Sequence, residues 1–211
     1  MITNIPIIGG TKDAAWELVT DLQPDIVLMD KEENPLEMAE ACPLPFLATH
    51  VTSIQTLHEE LVRLADYFKN AQLMEWAVDC YDILQAPTPK WNMQKVPGFQ
   101  EWVKQPSRDY EKVNYLIWKK PWMSVTKETY IGSVLEKLGA TIQTFPEGEK
   151  YPVIEQEDME DSFCLFSSEP YPFQRKIPDL RKAGLEGAIV DGESYSWFGI
   201  RSIEFLKSQL L

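Results

Sequence analysis

Apolar positions along this chain recur at two different spacings, and the places where one gives way to the other mark out its elements. An apolar run from Ile5 to Ile8 ends in Gly9-Gly10 and predicts a strand followed by a turn. Thr11 predicts the N-cap of a helix over residues 12–22, because Ala15, Leu18, Val19 and Leu22 share one helical face. Pro24 ends that helix, since proline has no N–H to donate into it. Asp25 to Met29 reads as a strand, Pro35 to Ala41 as a short helix, and Phe46 to His50 as another strand. Strands alternating with short helices predict a parallel α/β sheet.

The spacing changes at Ser53, which caps a helix bearing Ile54, Leu57, Leu61, Leu64 and Phe68. Asn70 interrupts it, and Leu73, Ala77, Cys80 and Leu84 continue the stripe, so residues 53–85 predict one long helical segment bent near Asn70. Residues 86–111 hold Pro87, Pro89, Pro97 and Pro106, and predict an irregular connection with a short helix around Phe99–Val103. A second α/β unit follows. Its strands are Val113–Trp118, Ser162–Phe166 and Gly187–Val190; its helices are Tyr130–Leu138, Arg175–Ala183 and Ile200–Leu210. The expected organisation is therefore an N-terminal α/β lobe over 1–52, a helix and connection over 53–111, and a C-terminal α/β lobe over 112–211. Two sheets joined by a helix leave a crevice between them.

Charge sharpens this division. The net charge is −13, but residues 1–60 carry 11 acids against 2 bases, while residues 112–211 are close to balanced. An acid excess argues against a general nucleic-acid binder, which needs clustered Lys and Arg for phosphate. Cys42, Cys80 and Cys164 are odd in number and far apart, which gives neither a disulfide framework nor a zinc site. The N-terminus has no basic leader region and no segment approaches a membrane span, so the chain as written reads as cytoplasmic.

In open α/β sheets ligands bind beyond the carboxyl ends of the strands. Those ends are crowded here. Asp30-Lys31-Glu32-Glu33-Asn34 follows one strand, and Trp118-Lys119-Lys120-Pro121-Trp122-Met123 another. Glu169-Pro170-Tyr171-Pro172-Phe173 follows a third, and Asp191-Gly192-Glu193 leads on to Trp197 and Arg201. Each has a plain structural alternative: a solvated loop charge for Glu32 and Glu33, a core ring for Trp118 and Trp122, a bend for Tyr171, and an ion pair with Asp191 for Arg201. Catalytic templates are missing. The two histidines, His50 and His58, have no metal-ligand spacing, and there is no GxSxG, Walker loop or GxGxxG. No catalytic residue, metal site or cofactor is expected.

The motifs taken together resemble the helical-backbone metal receptors, the class of ABC-transporter substrate-binding proteins that includes the cobalamin-binding ones. The N-terminal resemblance rests on Ile8-Gly9-Gly10-Thr11-Lys12, Pro24 to Leu28, and Lys31 to Asn34. The C-terminal one rests on Ile117-Trp118 with Pro121-Trp122-Met123, Thr129-Tyr130-Ile131, Glu169 to Phe173, and Val190-Asp191-Gly192 with Ser196 to Gly199 and Arg201. It implies two α/β lobes joined by a long backbone helix, the class III periplasmic-binding-protein arrangement, with a corrinoid, haem or ferric siderophore in the crevice. Trp118, Trp122, Tyr171 and Trp197 would then pack on the ligand, and Glu32, Glu33, Lys119 and Arg201 would meet its polar rim.

The resemblance also implies an ABC permease as partner, docked through surface carboxylates such as those of the acidic first 60 residues. Members usually begin with a further strand–helix–strand and an export signal. The expectation is thus a truncated N-terminal lobe, a periplasmic location by resemblance, and a homodimer through the incomplete lobe as a further partner. Two rival readings stay open. One is a hydrolase using Glu32 or Glu33 with Glu169, which needs its carboxyls within about 5–10 Å. The other is an interaction module without transport.

Overall fold

The structure, a computed structural model, describes residues 6–145 and 148–211. It divides into two compact units, residues 1–51 and residues 52–211. Residues 53–111, read from the sequence as helix and connection, fall within the second unit together with the C-terminal strands.

The first unit opens with a small hairpin. Strand β1 (Gly9–Gly10) pairs antiparallel with β2 (Asp13–Ala14) around Thr11-Lys12. Gly9 is required there: at φ 127° a Cβ would stand 2.2 Å from the Asp13 carbonyl oxygen. Of the expected strand over Ile5–Ile8, Pro6 to Ile8 is not a strand, and Ile5 lies outside the described residues. The hairpin also displaces the predicted cap, because Thr11 sits in the turn while helix α1 (Trp16–Asp21) starts after Ala15 with no side-chain cap. Strands β3 (Val27–Asp30) and β4 (Phe46–Thr49) pair parallel, Val27 beside Phe46 and Asp30 beside Thr49. Helix α2 (Leu36–Glu40) connects them, as the apolar spacing predicts.

The second unit begins with helix α3 (Ile54–Phe68), held by a reciprocal cap. The Ser53 hydroxyl accepts from the Thr56 N–H at 3.0 Å, and the Thr56 hydroxyl accepts from the Ser53 N–H at 2.8 Å. The single bent helix of the sequence reading is in fact two. Lys69 turns left-handed (φ 49°, ψ 44°), Asn70 caps helix α4 (Ala71–Gln85) by accepting from the Leu73 N–H at 3.1 Å, and the chain doubles back. The pairing is antiparallel: His58 Nδ1 lies 2.9 Å from the Ala77 carbonyl, and Cys80 Sγ donates to the Ile54 carbonyl at 3.6 Å. Leu57, Leu61 and Ala65 of α3 and Ala77, Cys80 and Ile83 of α4 are buried.

A six-stranded mixed sheet forms the body of this unit, in the order β5-β10-β9-β6-β7-β8. Its strands are β5 (Phe99–Lys104), β6 (Val113–Trp118), β7 (Trp122–Ser124), β8 (Val153–Ile154), β9 (Phe163–Ser167) and β10 (Gly187–Val190). The middle strands β6, β9 and β10 run parallel; β5 and β7 flank them antiparallel, and β8 pairs antiparallel with β7. Parallel strands covered on both faces read as continuous apolar runs, which is why these three are visible in the sequence. Phe163, Cys164, Leu165, Phe166, Ala188, Ile189 and Val190 have no exposed surface. The expected short helix at Phe99–Val103 is instead strand β5, antiparallel to β10 through two register shifts. The Arg181 guanidinium holds it, donating to the Trp102 carbonyl at 2.9 Å and the Val103 carbonyl at 2.8 Å. The remaining helices are α5 (Tyr130–Lys137), α6 (Ile177–Lys182), α7 (Gly192–Ser196) and α8 (Ile200–Leu210).

At the amino end of the parallel strands Glu186 is buried and ties the 104–110 connection to β10. Lys104 Nζ lies 2.8 Å from one carboxylate oxygen. The Ser107 N–H (2.7 Å), the Ser107 hydroxyl (3.0 Å) and the Tyr110 hydroxyl (2.8 Å) donate to the other. Burial alone would raise this carboxyl; the bonds from Lys104, Ser107 and Tyr110 outweigh it and bring the pKa down to about 2.

Candidate functional site

The sequence reading places candidate residues at carboxyl strand ends in both units. In the first unit they lie in the loop after β3. Asp30, nearly buried, organises that loop: its carboxylate accepts from the Glu32 N–H at 2.9 Å and from the Thr49 hydroxyl at 2.7 Å. Asn34 closes it, accepting from the Asp30 N–H and donating to the Thr11 carbonyl, both at 2.8 Å. Lys12 crosses from the hairpin to donate to the carbonyls of Glu32 and Glu33. The Glu32 carboxylate meets His50 Nε2 at 2.9 Å, whereas Glu33 is exposed. Thus Glu32 is a paired, half-buried group and Glu33 an open one. Asp30, Asn34 and His50 were not singled out from the sequence. The signal for the first two was an Asp closing an apolar run with an Asn four residues on, an Asx-turn pattern.

In the second unit β6, β9 and β10 are parallel, so the segments after Trp118, Ser167 and Val190 emerge at one edge of the sheet. The loops are stitched together there. The Ser168 N–H donates to the Val190 carbonyl, and the Gly192 N–H donates to the Ser168 hydroxyl, both at 2.9 Å. Gly192 is needed for this approach, since a Cβ would come within 2.3 Å of Ser167 Oγ. Beneath, the Tyr115 hydroxyl donates to Ser167 Oγ at 3.2 Å, and burial pushes that phenol well above its usual range.

Four of the predicted residues come together on this edge. Trp118 stands edge-on to Tyr171, with ring centroids 5.3 Å apart at 71°. Tyr171 also packs on Phe173 at 4.6 Å. Trp122 stacks on Phe173 at 6.0 Å and 9°, and Lys119 Nζ sits 4.9 Å from the centre of the Trp122 ring. Phe173 is fully buried and Trp118 is 40% exposed, so the cluster runs from the core to the surface. Trp122 packs against that core, which makes it a supporting ring beneath the exposed Trp118. Phe173 is the member that the sequence reading quoted in a motif without assigning it a place.

Trp197 and Arg201 form a second group, at the junction of α7 and α8. Trp197 is 59% exposed, and the guanidinium carbon of Arg201 lies 6.0 Å from its ring centre. Arg201, placed on the ligand's polar rim by the resemblance, is ion-paired with Glu193 and not with Asp191, the partner of its structural alternative. Residues 192–196 coil into a helical turn, and Asp191 accepts instead from the Ser194 hydroxyl at 2.6 Å.

Two larger hollows in this unit, of about 610 and 680 Å³, gather around Gly139 and Thr141 beside the start of β6. Neither includes any predicted site residue. The first unit has a smaller apolar hollow of about 300 Å³ lined by Met29, Pro35, Leu36 and Phe46. Among the described residues no group of His, Cys, Asp or Glu is placed to hold a metal ion, and no helix is long and apolar enough to cross a membrane.

The architecture is an α/β fold of the class III periplasmic-binding-protein kind. No family model and no curated protein matches the sequence. Solved structures do match. An ABC-transporter substrate-binding protein from Listeria monocytogenes EGD-e is 18% identical with a TM-score of 0.69, over 98% of this chain and 83% of that one. The haem complex of IsdE from S. aureus is 13% identical with a TM-score of 0.69, over 98% and 83%. The periplasmic vitamin B12 binding protein BtuF of Vibrio cholerae is 12% identical with a TM-score of 0.66, over 97% and 80%.

Proposed function

We propose that this chain is a binding protein for a metal chelate such as a corrinoid, haem or ferric siderophore, serving an ABC transporter and carrying out no reaction of its own. The observation that carries the reading is the graded aromatic cluster Trp118–Tyr171–Phe173–Trp122, with Lys119 on it, at the carboxyl edge of the parallel strands. An exposed ring backed by buried rings offers a stiff apolar face for a flat ligand, and the ammonium beside it supplies a polar contact. The structural neighbours support the reading: two bind haem or vitamin B12, and one is a substrate-binding protein of an ABC transporter. A permease partner and a place outside the cytoplasm follow from the same reading.

The test is a thermal-shift panel of cobalamin, haem and ferric siderophores. A true ligand at a hundred times its Kd stabilises by about 2.7 kcal/mol, which moves Tm by roughly 5–10 °C in a chain of this size. If no member of the panel moves Tm at high excess, the reading fails. Self-association through the first unit is a separate proposal, motivated by the exposure of Leu28, Leu36 and Phe46. A sedimentation mass of a single chain at high concentration overturns it.

A further inference from the structure

We propose that the exposed face of the α3–α4 hairpin docks a cationic amphipathic helix of another protein, whatever the aromatic edge binds. A surface helix needs one apolar face, and α4 has two. Ala77, Cys80 and Ile83 are buried. Met74, Val78 and Tyr81, spaced i, i+4 and i+7, form a second stripe, and they are 41%, 52% and 51% exposed. Helix α3 widens it. The His58 ring lies 5.8 Å from that of Tyr81, and Val62, one turn on, falls towards Met74 because the helices run antiparallel. The result is an apolar strip along the seam between the two helices.

The charges at its border say what covers it. Glu75 and Asp82 stand seven residues apart beside the stripe on α4, and Glu59 stands three residues before Val62 on α3. None of these three has a cation partner among the described residues. Glu59 and Glu75 accept from Gln55 and Gln72, at 2.8 and 2.7 Å. The hairpin's own cations, Arg63 and Lys69, are paired with Glu60 and Asp66. An apolar strip bordered by unpaired acids suits large apolar side chains bordered by Lys or Arg, in the helix-in-groove manner. It disfavours a second copy, whose two-fold mating sets acid border against acid border, and it repels an anionic lipid surface.

The probes are three fluorescently labelled synthetic helices about 18 residues long, long enough to be helical. One carries leucines on one face and lysines elsewhere; the second has glutamates for the lysines, and the third alanines for the leucines. Anisotropy is followed as the intact protein is added to each. The leucine–lysine helix is expected to bind at least about tenfold more tightly than the other two, and more weakly as salt is raised. Met74→Ser with Val78→Ser leaves every charge in place and should cost that helix about tenfold in affinity. Both side chains are exposed, and an unchanged far-ultraviolet circular dichroism spectrum checks the fold. Glu75→Lys with Asp82→Lys should turn the preference towards the leucine–glutamate helix. Equal binding of the alanine–lysine helix, or binding that survives the serine substitutions, overturns the proposal, because the net charge of −13 alone then accounts for it. A dimer that the serine substitutions dissolve, or attachment to phosphatidylglycerol vesicles that they abolish, overturns it in favour of a second copy or a membrane.

Discussion

Replacing Glu186 by Gln tests the polar tie at the amino end of the sheet, and its size can be worked from the structure. The carboxylate is buried, takes one bond from Lys104 and three from Ser107 and Tyr110, and ionises at about 2 in place of 4.5. Unscreened, such a lowering stabilises the fold by about 3 kcal/mol at neutral pH. The Lys104 side chain is half exposed, so water screens part of this, and about 1–2 kcal/mol is the working figure. Because the folded pKa is the lower one, this stability is fully present above 4.5 and is lost as pH falls from 4.5 towards 2. Gln keeps the shape and an acceptor oxygen but removes the charge. Urea unfolding at pH 7 should show Glu186→Gln weaker by about 1–2 kcal/mol, or roughly 3–6 °C in Tm. At pH 2.5 the two proteins should be nearly alike. A gap of the same size at both pH values would refute the reasoning, because the loss would then be one of packing and not of charge.

Lys137 Nζ donates to the carbonyls of Leu84 and Ala86 where α4 ends, so Lys137→Met should cost about 2 kcal/mol in chemical unfolding, and Lys137→Arg clearly less. The thiols of Cys80 and Cys164 are both pushed up to about 12, chiefly by burial, while Cys42 is half-buried. A thiol reagent at pH 8 should therefore label one site in the native protein and three after denaturation; rapid labelling of Cys164 in the native state would contradict the fold. Lys69→Gly removes a side chain from a left-handed position and should raise stability by about 0.5–1 kcal/mol, read as a higher urea midpoint. Gly192→Ala should lower Tm by several degrees, because its methyl meets Ser167 Oγ and the Glu169 backbone.

What could be read in advance follows from physical cause. β6, β9 and β10 are fully buried apolar runs, and β3 and β4 alternate with short helices, so each left a pattern in the sequence. β7 and β8 are only three and two residues long, and β5 is mostly exposed and pairs with β10, which is distant in the chain. The helical hairpin was read as one bent helix because an apolar stripe resumes at Leu73, only five residues after Phe68. The reversal lies in the left-handed backbone of Lys69, which a lysine does not announce. At the site, the strand-end rule brought Trp118, Lys119, Trp122 and Tyr171 to one edge. It could not tell that a helical turn after Asp191 presents Glu193 to Arg201, or that Phe173 joins Trp122 to Tyr171.

The guanidinium of Arg181 has a meaning beyond holding β5. That strand is an outermost one of the sheet, and an outermost strand with free carbonyls is a template on which another molecule's strand can grow. Arg181 occupies the carbonyls of Trp102 and Val103 with a bulky cation. At the opposite margin β8 is only two residues long. One margin has two of its carbonyls taken and the other is two residues long, so each offers another molecule's strand a shortened template.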